Sequence, residues 1–153
     1  MPELDKIDLK LLKLLQEDAQ ITSKELSTHL NLSQTPIYER IKRLERDGYI
    51  KQYVAILDKE KMGKPMVAFC NVSLKEHAKV LLDKFQEEIM AMDEVMECYH
   101  IAGTYDYILK VVVGDIKSYQ DFIVNKLATL ANVSNAHSSF VLTEIKHTTS
   151  LPI

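Results

Sequence analysis

The hydrophobic period of this chain changes once, and that change constrains the fold more than any other feature. Apolar residues recur at helical spacing until Gly48, then mostly alternate, as in strands, on either side of a charged Gly/Pro segment at 58–65. At 153 residues the chain has room for one domain or two small ones, so the pattern decides. Leu4, Ile7, Leu11, Leu12, Leu14 and Leu15, with charged residues between them, predict an amphipathic helix from about Asp5 to Glu17. Thr22 or Ser23 caps a short helix through Leu30, whose Leu26 and Leu30 share a face, and Asn31-Leu32 makes the turn. A third helix has Ser33 as N-cap, Pro36 in a first turn that needs no N–H, and Gly48 just past its end.

A short helix, a tight turn and a longer capped helix make a helix-turn-helix, whose second helix enters the major groove of DNA. With Ile37, Ile41 and Leu44 as the buried stripe, a helical step turns Thr35, Lys42 and Arg46 outward, with Tyr38, Glu39 and Arg43 flanking. An amide and a hydroxyl near the helix start suit base edges or phosphate, and cations further along suit the backbone. Ser33, Gln34, Thr35, Tyr38, Lys42, Arg43 and Arg46 are therefore the candidate DNA-binding residues, with Gln34, Thr35 and Tyr38 toward bases and the cations toward phosphate. A helical bundle whose polar face only meets water is the alternative. Behind Gly48, the β-branched and aromatic run Tyr49 to Leu57 predicts a strand, the place for a wing or hinge.

The segment 58–65 is the candidate boundary, dividing a winged helix-turn-helix (1–57) from a second domain (66–153). In the latter, strands are expected at Met66–Leu74, Val95–Ala102, Tyr107–Val113 and Ser138–Lys146, and helices at His77–Met92 and Ser118–Leu130. The order βαββαβ is that of the ferredoxin-like fold, so the chain is α+β. Such a sheet carries helices on one face only, and burying the other face or an edge predicts a homodimer, a symmetry that also suits pseudo-palindromic DNA.

The net charge of −3 argues against a DNA-binder until it is divided. Residues 1–62 hold 11 basic and 11 acidic side chains and residues 63–153 hold 8 and 11, so the second part carries the whole excess. Between Ser33 and Leu57 the bases exceed the acids, which fits phosphate contact and equally a solvated helix face. No uncharged apolar run is long enough for a membrane span, and MPELDKIDLK is not patterned as a signal peptide, so a cytoplasmic location is expected. Cys70 and Cys98 sit in apolar runs without CxxC spacing and are expected as buried free thiols, with no metal site and no cofactor.

Gly103-Thr104-Tyr105-Asp106-Tyr107 joins the two central strands. Gly103 permits a positive φ, and a carboxylate among hydroxyls suits a zwitterion; a hairpin turn in which Asp106 accepts backbone hydrogen bonds fits the same spacing. Over essentially its full length the chain resembles the Lrp/AsnC, or feast/famine, transcription regulators. The resemblance rests on Leu9-Lys10-Leu11-Leu12, on Leu32 to Glu45 followed by Gly48-Tyr49-Ile50, and on Gly103 to Tyr107. It implies dimers that associate further, often into octamers, and an amino-acid effector bound at a subunit interface by Ile101, Gly103, Thr104, Tyr105, Asp106, Ser139, Phe140 and Val141. The expected function is sequence-specific transcription regulation rather than catalysis. Siroheme decarboxylases are similar to this family but would need imidazoles in the pocket, and only His100 is near the loop in sequence. A nonspecific architectural DNA-binder is the other alternative.

Overall fold

The computed structural model describes residues 3–153, and its first helix starts where a carboxylate replaces missing backbone partners. Helix α1 spans Lys6–Glu17, and Asp5 caps it: Asp5 Oδ1 accepts the N–H groups of Ile7 and Asp8, each at 2.8 Å, while Asp8 reaches back to the Asp5 N–H. Helix α2, Ser23–Leu30, has the same device in Thr22 and Glu25. It ends at Asn31, whose φ of 53° lets the chain reverse into the turn without glycine. Helix α3 spans Gln34–Arg46 and closes with Gly48 N–H on Glu45 O and Tyr49 N–H on Leu44 O, the Schellman arrangement, at a Gly48 φ of 78°. Leu11, Leu26, Ile37 and Leu44 are fully buried where the three helices meet, and each such side chain contributes about 1.5–3 kcal/mol.

The run expected as a wing strand is not one. Residues 51–57 pair with no strand among the described residues, and Tyr53, Val54, Ile56 and Leu57 are exposed. A strand needs a ladder partner, which high β-propensity alone does not supply.

The chain divides into two compact units, one running through Ile56 and including Lys146–Ile153, the other Leu57–Ile145. In the first, the last residues lie against α1, where Gln16 Oε1 accepts the Leu151 N–H at 2.6 Å. The second is a four-stranded antiparallel sheet of β1 (Met66–Leu74), β2 (Val95–His100), β3 (Tyr107–Val113) and β4 (Val133–Phe140), in the order β2-β3-β1-β4. Helix α4, Lys79–Met90, and helix α5, Ile116–Asp121, cover one face. Phe85 and Ile89 from α4 and Tyr119 and Phe122 from the α5 segment pack on Cys70, Val72, Leu109 and Val111. This is the ferredoxin-like βαββαβ order.

Three expectations need correction here. The last strand is Val133–Phe140 instead of Ser138–Lys146, because its register is set by β1, from Ala68↔Phe140 to Leu74↔Val133, while Leu142 and Ile145 are exposed. The second helix starts earlier, on an Asp115 cap, and widens into a π-helical turn at Phe122–Lys126 that lets Phe122 and Leu127, five apart, both enter the core. Cys70 is buried but Cys98 is exposed, since it lies on the edge strand β2.

Candidate nucleic-acid interface and effector loop

Ser33 stands at the N-cap of α3 with extended backbone, yet its hydroxyl makes no capping bond. Pro36, the third helical residue, has no N–H, which removes one of the two donors such a cap can use and leaves that of Thr35. Ser33, Gln34, Thr35, Tyr38, Lys42 and Arg46 are all exposed. Thr35, Tyr38, Lys42 and Arg46 are on the sides of α3 turned away from Ile37 and Leu44, while Gln34, three residues before Ile37, lies at the border of the buried stripe in the first turn. The Lys42 ammonium lies 5.7 Å from the centre of the Tyr38 ring and 2.8 Å from Glu45, and Arg46 is 3.0 Å from Asp47. These pairs are between near neighbours at the surface, where solvent screening leaves an ion pair little net stabilisation and a cation exchanges partners readily.

Arg43 differs. Its guanidinium donates to Asp8 Oδ2 at 2.6 Å, and Arg40 donates to Asp8 Oδ1 and Asp5 Oδ2, both at 2.7 Å. The Asp8 side chain is 1% exposed, and it alone among the described charged residues is buried. Arg40 and Arg43, three apart on α3, converge on it from one side of the helix. The Asp8 N–H, with Arg40 second, holds the Asp5 carboxyl below its usual range. Sequence spacing marked Arg43 as a surface cation; the partner that engages it lies 35 residues away.

In the other unit the loop joins edge strand β2 to central strand β3, not two central strands as expected, because β1 is the other central strand. Gly103 has a φ of 152°. The loop is closed by Ile101 N–H on Asp106 O and tied to β1 by Asp106 N–H on Val72 O, both 2.9 Å. The Asp106 carboxylate is already engaged: Oδ2 accepts the Leu74 N–H and Oδ1 meets His77 Nε2, each at 2.7 Å. The Leu74 N–H first, then His77, hold it below the usual carboxylate range. His100 stacks on Tyr107 at 4.6 Å and Tyr105 faces His137 at 6.4 Å. Three imidazoles thus surround the loop where sequence distance suggested one.

Ser139, Phe140 and Val141 are elsewhere. Phe140 pairs with Ala68 whereas Tyr107 pairs with Val72, so the loop and the end of β4 are separated by four residues of β1, roughly 13 Å. Ser139 is exposed; Phe140 packs edge-on against Tyr119, whose pKa burial pushes up to about 12 and whose hydroxyl donates to Ser138. Val141 borders a cavity of about 400 Å³ with Lys59, Pro65, Val67 and Glu144. One chain therefore does not bring the expected effector residues into a single site.

Comparison with known proteins matches both units. Residues 4–51 match the winged helix-turn-helix DNA-binding model and residues 67–151 the Lrp/AsnC ligand binding domain. The chain belongs to the Lrp/AsnC family. Among its relatives, the DNA-binding transcriptional activator DecR of Escherichia coli is 41% identical over 98% of this chain and 99% of its own. The leucine-responsive regulatory protein of Klebsiella pneumoniae is 33% identical over 99% and 92%. The transcriptional regulator of Neisseria meningitidis solved as its L-Met complex superimposes with a TM-score of 0.94, at 39% identity over 98% and 97% of the two chains. As an Lrp/AsnC member this chain is a DNA-binding transcription regulator. No helix among the described residues is long and apolar enough to cross a membrane.

Proposed function

We propose that this regulator reads particular DNA sequences with α3 and responds to an amino acid or related small molecule through its ferredoxin-like unit. The observation that carries the DNA-reading half is the exposed set on α3: Gln34, Thr35 and Tyr38 at its start, with Ser33 before them and Lys42 and Arg46 one and two turns on. The first group has the donors and acceptors that base edges require, and the cations suit phosphates.

An amino-acid effector is supported by the family and by the L-Met complex of the Neisseria relative. The separation of Gly103–Asp106 from Ser139–Val141 along β1 favours a site shared between subunits, the loop of one facing the strand end of another. A homodimer is also favoured by the face of the sheet that the helices leave open, where Phe69 is exposed, and by the unpaired run Tyr53–Leu57; association into octamers rests on family resemblance alone. The division into 1–57 and 66–153 around a 58–65 linker is kept with one adjustment, Lys146–Ile153 being counted with the first compact unit; a cytoplasmic location fits a DNA-binding role. A purely regulatory role without catalysis is favoured by the relatives' roles and by the structural partners of His77 and His100.

Thermal unfolding of the full chain against each standard amino acid, followed by sizing with any that binds, tests the effector half. A true effector raises the midpoint by several degrees well above its Kd and alters the size distribution. If every midpoint and every size stays unchanged, the amino-acid reading is wrong.

A further inference from the structure

We infer that Asp8 of α1 is a positioning residue for DNA recognition: it captures Arg40 and Arg43, sets the rotation of α3, and withdraws Arg43 from the cations that neutralise DNA phosphate. The inference rests on α3 being the DNA-facing helix.

Both Asp8 oxygens are used, Oδ1 by Arg40 and Oδ2 by Arg43 and the Asp5 N–H. A side chain with 1% exposure has lost its water, so its two oxygens depend on these donors for hydrogen bonds. Arg43, at 36% exposure, is therefore held by a partner that cannot turn to solvent once the arginine leaves. Lys42 and Arg46 have no such obligation; at 56% and 73% exposure, their partners are surface carboxylates on their own helix or its cap. Counting charges, Asp5, Asp8, Arg40 and Arg43 cancel, so α3 meets DNA with Lys42 and Arg46 as its available cations. Because Arg40 and Arg43 lie three apart on one side of the helix, holding both also fixes which residues, Gln34, Thr35 and Tyr38, are aimed outward.

The test is the salt dependence of binding to a mixed-sequence duplex, compared among the full-length wild type, R43Q, R46Q and D8N. Each phosphate contact contributes about 0.9 to the slope of log K against log salt. R46Q should flatten the slope by about one, and R43Q should leave it unchanged while lowering the unfolding midpoint. R43K, which keeps a cation on Asp8, should recover part of that midpoint. D8N frees two guanidiniums, so its slope should steepen and its nonspecific binding tighten; a loss of stability alone would not move the slope in that direction. R43Q needs no folded D8N to be informative. If R43Q flattens the slope as much as R46Q does, the inference fails and α3 keeps its role; if neither changes it, the assignment of α3 to DNA fails as well.

Discussion

Asp106 illustrates how a residue chosen for one chemistry serves another. Its carboxylate ends β1 by accepting the Leu74 N–H and holds His77, so truncation leaves a partly buried N–H without its charged acceptor. Asp106→Ala should therefore cost about 1–3 kcal/mol at neutral pH, read from the urea midpoint. The sign of its pH dependence follows from the lowered pKa. The stabilisation is fully present above the unfolded-state value near about 3.9 and is lost as pH falls through the lower folded value. The acid limb of the stability curve should be shallower in the variant; an unchanged limb would mean the Leu74 and His77 contacts contribute nothing. An effector ammonium would have to compete with His77 for this carboxylate or bind to the loop's backbone and hydroxyls instead.

At the scale of elements, the Schellman ending of α3 fixes where the recognition helix stops and depends on one backbone conformation. A Cβ on Gly48 would meet nothing within 4 Å, so the penalty of Gly48→Ala lies wholly in its φ of 78°. The cost should be about 1–2 kcal/mol, with Asn less harmful, measured by thermal or urea unfolding. An Ala variant as stable as wild type would contradict this account of the helix end. The first helix was legible from its leucine spacing, and the second and third also from local signals at their ends, Thr22, Ser33, Pro36 and Gly48, although the Asp5 cap was not foreseen and Ser33 makes no capping bond. Strands β1 and β3 were equally legible, being central and apolar, with ends that match the hydrophobic runs. Edge strand β4 was not, because Val133–Phe140 is largely polar and only its pairing with β1 identifies it. The run 49–57 failed in the opposite way, carrying strand-like residues without a partner strand. Spacing along α3 told which residues point outward, but only the fold brings Asp8 to Arg43, or His77 and His137 to the loop.

For the whole molecule, an acidic sum hides a DNA-binding unit whose charges balance and whose cations are sorted between a buried carboxylate and the exposed side of α3. Regulation by a bound effector then requires only that the ligand favour one assembly or DNA-binding arrangement over another. The proposed homodimer would present two copies of α3, so its preferred DNA should contain two half-sites related by symmetry, spaced by about 10–10.5 base pairs or a multiple. The most direct test is selection of fragments from the source genome by the full-length protein at fixed salt, followed by sequencing. Strong enrichment of one recurring two-fold site is expected, with loss of preference at particular base pairs in Gln34→Ala while much of the overall affinity is retained. Uniform recovery of fragments by wild type and variant alike would contradict it, leaving a protein that binds DNA without reading it.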